Sequence, residues 1–155
     1  MKELGTSILI TSLNVAMGAS LTEKLANLLS LHYASCKDVV EYDLFDSKAM
    51  LNNCGLTYLK KRERSALRGV AEYENSVIFI DYDLLWHNYD LFHHLHPMIY
   101  LRFSKHKLSK DDAISSISYE ERNKYLEEKA DLVIDVVSDS KLTLSKIVKE
   151  IGEKL

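Results

Sequence analysis

Short apolar runs alternate along this chain with segments in which apolar residues recur at helical spacing. Four runs are short, apolar and partly β-branched, and they predict buried strands at residues 8–10, 77–80, 98–101 and 132–135. The intervening pattern predicts helices over residues 21–31, most of 47–74, 119–129 and 142–151. Strands that alternate with helices in this way are typical of a parallel sheet covered by helices on both faces. We therefore expect a three-layer α/β fold.

Several segments leave more than one interpretation open. A polar, small-residue turn is expected over Ser12–Ser20, between the first strand and the first helix. Val39 and Val40 fit either a short strand or the start of a helix, and residues 84–96 fit a helix or a loop. Gly55 is expected to separate two helices, because glycine disfavours a helix interior. On the second of these helices, one face carries the apolar residues Leu59, Leu67, Val70 and Ala71.

Composition narrows the class of protein. The 155 residues fit a single domain, 1–155, and the net charge of −3 gives no electrostatic reason to expect nucleic acid or an acidic membrane as a partner. No stretch of the sequence has the length and apolar character of a membrane span or an export signal. Cys36 and Cys54 have no metal-ligand spacing, and both are expected to be reduced thiols in a cytoplasmic protein.

In a sheet of this kind, ligands bind beyond the carboxyl ends of the strands. That rule places Ser12–Ser20 and Asp81–Asp83 at the functional edge. The order of motifs along the chain resembles the shikimate kinases. The segment from Ile10 to Thr22 resembles their G-x-M-G-x-G-K-S-T phosphate loop, and the segment from Arg122 to Asp135 resembles R-x-P-L-Y-E-E-x-A-D-x-V-I-D. The resemblance implies a P-loop kinase fold and ATP-dependent phosphorylation of shikimate in aromatic amino acid biosynthesis.

The phosphate loop departs from the motif that it resembles. Leu13 stands at the first glycine and Ala19 at the lysine that neutralises the terminal phosphates. The resemblance leaves Gly18, Ser20 and Thr22 as the cofactor-binding remnants, with ATP and Mg²⁺ as cofactors only if the chain is an active kinase. As a plainer alternative, Gly18 and Ser20 form a turn and a helix N-cap.

The substrate half departs as well. The resemblance places the family's aspartate pair at Ser35-Cys36-Lys37, or in another register at Asp43 or Asp46, and its substrate arginine at Lys60. Asp81, Tyr82 and Asp83 replace the glycine triplet, whereas Glu63 and Arg122 are retained. The arginine-bearing lid signature is absent from residues 105–118. The substrate-pocket equivalents are Lys37, Lys60, Glu63, Asp81, Tyr82, Asp83 and Arg122.

Three of these features have alternative interpretations. Asp81 and Asp83, if on a strand, project to one side and are candidates for paired carboxylates; otherwise they are a polar junction between strand and loop. Arg122 either binds a carboxylate or phosphate, or pairs with an acidic neighbour on its helix. His93 and His96 have i, i+3 spacing, but no known metal-ligand pattern is matched, and we expect no metal site.

Three functions remain compatible with the sequence. The first is a shikimate-kinase-like protein that is inactive or very weakly active and binds a protein partner or a small anion. The second is an active small-molecule kinase in which Lys37 or Lys60 replaces the missing lysine. The third is a structural module that acts through oligomerisation.

Overall fold

A computed structural model of the chain describes residues 7–44, 47–104 and 116–154. Its centre is a five-stranded sheet in the order β2-β3-β1-β4-β5 in which every pair of neighbouring strands is parallel. The strands are β1 (Ile8–Thr11), β2 (His32–Ser35), β3 (Ser76–Ile80), β4 (Met98–Arg102) and β5 (Leu132–Asp135). The four strands expected from apolar runs are all present, within one residue of the predicted ends.

The helices among the described residues are α1 (Val15–Leu29), α2 (Cys36–Leu44), α3 (Ser47–Ala71), α4 (Tyr82–Phe92), α5 (Ser116–Lys129) and α6 (Lys141–Lys154). Gly55 interrupts α3 with φ 84° and ψ 166°, a conformation that glycine adopts without strain. The expected break is therefore confirmed, and Val39 and Val40 belong to a helix, α2.

Two apolar layers hold the helices against the sheet. Helices α1 and α6 cover one face with Leu21, Leu25 and Ile147, while α2 to α5 cover the other. β3 is buried along its whole length, as expected of a strand with helices on both faces. The architecture is thus the three-layer α/β sandwich that the alternating pattern predicts.

Apolar pattern alone did not identify β2. The strand His32–Ser35 is short, forms one edge of the sheet, and begins with an exposed histidine. Such a segment has neither a continuous apolar run nor a clear alternation. No helix in the described part of the chain is long and apolar enough to cross a membrane.

Candidate ligand site at the carboxyl edge of the sheet

The connection between β1 and α1 is much shorter than the sequence suggested. β1 ends at Thr11 and α1 begins at Val15, so only Ser12–Asn14 lie between them. The prediction of a turn over Ser12–Ser20 was wrong. Asn14 has extended backbone angles, and its side-chain oxygen accepts a hydrogen bond from the Met17 N–H. Since asparagine is a strong N-cap, it starts the helix at Val15, and the residues matched to the glycine loop become helical.

Internal contacts fill this short turn. The Ser12 hydroxyl donates to the Leu101 carbonyl at 2.8 Å, and Ser12 Oγ accepts from the Asn14 N–H at 3.1 Å. Leu13, which stands at the first motif glycine, is only 7% exposed and belongs to the apolar layer under α2 to α5. The β1–α1 turn, as we call Ser12–Asn14, is therefore part of the core.

The retained motif residues lie inside α1. Gly18 is buried, and a Cβ atom there would lie 2.7 Å from Phe79 Cε1 and 2.8 Å from Ser12 Cβ. Its lack of a side chain allows α1 to approach β3 closely. Because Asn14 is the cap, the alternative in which Gly18 and Ser20 form a turn and a helix N-cap is wrong. Ala19 is half-buried and packs against the layer between α1 and the sheet.

The hydroxyl groups matched to the phosphate loop have partners within the chain. Ser20 Oγ donates to Asp139 Oδ2 at 3.0 Å, and Lys24 Nζ donates to the Asp139 carbonyl at 2.9 Å. The hydrogen bond from Ser20, followed by the bond and charge of Lys24, lowers the pKa of Asp139. Thr22 Oγ1 donates to the Gly18 carbonyl at 2.7 Å. The α6 side of α1 is thus tied to the loop that follows β5.

At the other half of the edge, β2 ends at Ser35 and α2 begins directly at Cys36. This boundary favours the register in which Lys37 follows the strand. Asp43 lies within α2, where its carboxylate is 3.8 Å from Arg62. Asp46 is outside the described residues, as is most of the segment 105–118 in which the lid signature was sought.

Lys60 and Glu63, the pocket equivalents on α3, pair with each other. Lys60 Nζ lies 3.2 Å from Glu63 Oε1 in an i, i+3 arrangement, and the Glu63 side chain is only 14% exposed. The cation at the position of the substrate arginine is therefore held by a neighbour on its own helix.

Asp81 and Asp83 do not extend a strand, and the prediction that they project to one side of it was wrong. Asp81 is the N-cap residue of α4 and Asp83 lies in the first helical turn. The Asp81 side chain does not cap the helix, and its buried Oδ1 has no hydrogen-bond partner among the described residues. Burial raises the pKa of Asp81, and a hydrogen bond from its own backbone N–H lowers it. The charges of Asp83 and Glu63 raise this pKa, whereas the charge of Lys37 lowers it.

Arg122 lies over the ring of Tyr82, with its guanidinium carbon 4.7 Å from the ring centroid. It makes no ion pair with any described residue, so the alternative in which it pairs with an acidic neighbour on its helix is not observed. The rings of Tyr125 and Tyr82 pack edge to face, with their centroids 5.8 Å apart. Burial raises the pKa of Tyr82, against the influence of Arg122.

Most substrate-pocket equivalents therefore converge at the β3–α4 junction, by which we mean Ile80–Asp83 and its surroundings. Lys37 and Glu63 act electrostatically on Asp81, while Arg122 and Tyr125 contact Tyr82. Gly18, Ser20 and Thr22 lie instead on α1, where they contact its own backbone, β3 and the loop after β5.

Sequence reasoning missed Thr11, Asn14 and Asp139. Thr11 is fully buried at the end of β1, and its hydroxyl has no partner among the described residues. The available signal was a polar residue that closes the apolar run Ile8-Leu9-Ile10. Asn14 carried a recognisable N-cap signal, since it directly precedes a helical segment. Asp139 gave none, because its contact with Ser20 spans distant parts of the chain.

The histidines do not assemble a metal centre in the described ranges, where no group of metal-ligating side chains is found. α4 ends at Phe92, so His93 and His96 do not share a helical face. His93 Nδ1 lies 2.8 Å from the Asp90 carbonyl, and His96 Nδ1 lies 2.8 Å from Asp131 Oδ2.

No protein-family model and no curated protein matches the sequence. Among solved structures, the chain is similar to the shikimate kinase from Bacteroides thetaiotaomicron, with a TM-score of 0.73, 17% identity and 96% of each chain covered. The comparison with the shikimate kinase from Acinetobacter baumannii in complex with shikimate gives a TM-score of 0.74 and a sequence identity of 14%. It covers 97% of this chain and 94% of the other. The comparison with dephospho-CoA kinase from Campylobacter jejuni gives a TM-score of 0.56 and a sequence identity of 16%. It covers 95% of this chain and 97% of the other. These similarities show that the chain has the fold of the shikimate kinases.

Proposed function

We propose that this chain is a shikimate-kinase-like protein that binds a small anionic ligand and does not transfer phosphate from ATP. The β1–α1 turn is the observation that carries the proposal. A phosphate loop needs backbone N–H groups directed at the phosphates, and here a short turn and the first turn of α1 occupy the corresponding residues. One of the N–H groups at the helix terminus is already bound by the Asn14 side chain.

The absence of the phosphate-loop lysine also argues against transfer of phosphate from ATP. Catalysis of phosphoryl transfer depends on positioning and on charges that stabilise the transition state. Ala19 offers a methyl group where that cation is needed, and removing one such donor lowers the rate by about 10²–10³-fold in well-studied enzymes. Ser20, at the position of the hydroxyl that holds Mg²⁺, donates to Asp139 instead.

Binding at the β3–α4 junction is supported by Arg122. A guanidinium that stacks through its face keeps its N–H edge available, and that edge matches a carboxylate or phosphate in a bidentate manner. The guanidinium carbon of Arg122 lies 4.7 Å from the centroid of the Tyr82 ring, and Arg122 has no carboxylate partner among the described residues. Lys37 adds a second positive charge near the junction. A small anion therefore has a positioned partner here.

The proposed lack of phosphate transfer is tested by calorimetry with Mg·ATP, together with a coupled kinase assay with and without shikimate. We expect no saturable ATP binding and no turnover from the wild type. The A19K variant is the informative companion, since it restores the charge but leaves the turn closed, and we expect it to remain inactive. Micromolar ATP binding with shikimate-dependent turnover by the wild type would contradict the proposal. Loss of that turnover in K37A or K60A would then identify the relocated lysine.

The proposed anion binding is tested by an NMR titration with inorganic phosphate and shikimate as anionic probes. We expect R122Q to weaken binding of either anion by about tenfold or more, because a charge-assisted bidentate contact is lost. K124Q removes one positive charge from an exposed position on the same helix, and its affinity should stay within about twofold of the wild type. Equal losses in both variants would show that the anion senses net charge only.

A further inference from the structure

Three buried polar atoms around the carboxyl edge have no hydrogen-bond partner in the described part of the chain, namely Thr11 Oγ1, Asp81 Oδ1 and Glu63 Oε1. Glu63 Oε1 lies 3.2 Å from Lys60 Nζ in an ion pair, so Thr11 Oγ1 and Asp81 Oδ1 are the two that call for a partner. The Thr11 residue has no exposed surface at all. Buried polar groups in folded proteins are nearly always hydrogen-bonded, so each such atom calls for a physical explanation.

The two residues end neighbouring strands. Thr11 is the last residue of β1 and pairs in register with Ile80, the last residue of β3, which Asp81 directly follows. Parallel neighbours lie about 4.8 Å apart, so the two backbones are adjacent at the same edge of the sheet. The unsatisfied hydroxyl and carboxylate therefore belong to one locality.

Asp81 also gives up a stabilising contact that was available to it. Aspartate at an N-cap position normally accepts a hydrogen bond from the first turn of its helix, yet the Asp81 side chain makes none. Instead, the carboxylate interacts with charges on α2 and α3, namely Lys37 and Glu63. The carboxylate also accepts a hydrogen bond from its own backbone N–H, but its buried Oδ1 has no partner among the described residues. That oxygen is suited to a partner from outside the chain.

The charges around Asp81 select the kind of partner. Asp83 and Glu63 add negative potential, and Lys60 is already paired with Glu63 at 3.2 Å. Lys37 is the cation that acts on Asp81. The described residues offer no group of ligating side chains large enough for a metal ion. An acceptor pair in negative potential, without metal-ligand geometry, fits a protonated amine.

We infer that the β3–α4 junction binds the protonated amino group of a small ligand, with the Asp81 carboxylate and the Thr11 hydroxyl as its acceptors. The inference rests on the proposed binding function and extends it. A ligand that carries the anionic group for Arg122 and this amino group is a zwitterion of the amino-acid type.

The first experiment needs no ligand and compares thermal unfolding of D81N and T11V with the wild type. If both side chains await an external partner, removing the buried charge or hydroxyl relieves an unpaired group, and each variant should melt about 2–4 °C higher. E128Q, which removes an exposed carboxylate from α5, away from the junction, should melt as the wild type does. A lower melting temperature for both D81N and T11V would show that the two groups are satisfied within the protein, and would overturn the inference.

The second experiment titrates the labelled protein by NMR with α-amino acids, with matched 2-hydroxy acids and with primary alkylamines. We expect the amides of residues 81–83 to shift with amino acids, at least tenfold more tightly than with the 2-hydroxy acids, and D81N to remove that preference. Equal binding of both acids, or no shift with any amine at about 10 mM, would overturn the inference. The NMR titration does not measure ATP turnover, so the kinase assay tests the proposed lack of phosphate transfer independently of this inference.

Discussion

The β1–α1 turn and the β3–α4 junction occupy the same edge of the sheet but treat their polar groups in opposite ways. In the turn, Ser12 bonds to Leu101 and Asn14, and Asn14 caps its own helix. At the junction, the Asp81 side chain leaves its helix uncapped and buries an oxygen without a partner among the described residues. Satisfied groups stabilise a fold, whereas unsatisfied ones are retained at a cost. The difference supports the proposal that the junction binds a ligand, whereas the turn contributes to the stability of the fold.

The largest expected effect is at Leu13. L13A removes a side chain from the apolar layer under α2 to α5 and should lower the free energy of unfolding by about 2–5 kcal/mol. Urea denaturation measures this loss directly. L142A is the matched control, because Leu142 is 84% exposed and its truncation should change stability by no more than about 0.5 kcal/mol. If L13A is as mild as L142A, the turn is not part of the core and the comparison fails.

A smaller loss is expected at Gly18. The added methyl group of G18A would lie within 3 Å of both Phe79 and Ser12, and such overpacking costs about 1–3 kcal/mol. G69A makes the same chemical change in α3, where no atom outside the neighbouring helix backbone lies within 4 Å of the new methyl group. That variant should gain about 0.5–1 kcal/mol, since alanine is the better helix former. Urea unfolding of both variants should therefore give opposite signs; a stable G18A would indicate that α1 does not lie against β3.

The smallest effect, and the one specific to the junction, is a dependence on pH. Burial raises the pKa of Asp81, so the folded protein holds this proton more tightly than the unfolded chain does. The stabilisation from that proton is complete below the unfolded pKa and is lost as the pH rises through the folded pKa. The stability of D81N relative to the wild type should accordingly increase from pH 4 to pH 7 in urea titrations. A difference that stays constant, or shrinks, would show that the carboxylate is not penalised by burial.

The fold was predictable because its signals are local. The apolar runs that became β1, β3, β4 and β5 are buried in the sheet, and Gly55 interrupts its helix as expected. β2 lacked such a signal because an edge strand is only partly buried and has no need of a continuous apolar run.

The candidate site was predictable only in part. The resemblance located the residues around Asp81, but it also extended the phosphate loop over Val15–Ser20, where an N-capping asparagine and helix-compatible residues produced a helix instead. The orientation of the Asp81 side chain and the contact between Ser20 and Asp139 depend on tertiary packing. Neither can be recognised from the amino-acid sequence alone.

The burial of Leu13 constrains how this protein can evolve. Any mutational path from the present sequence to a phosphate-binding loop must exchange Leu13 for a small residue, and that step alone forfeits core packing before any nucleotide affinity is acquired. Most natural domains have only a few kcal/mol of stability to lose. Selection would therefore remove the intermediate unless a compensating change elsewhere came first, so the burial of Leu13 opposes the acquisition of a phosphate-binding loop.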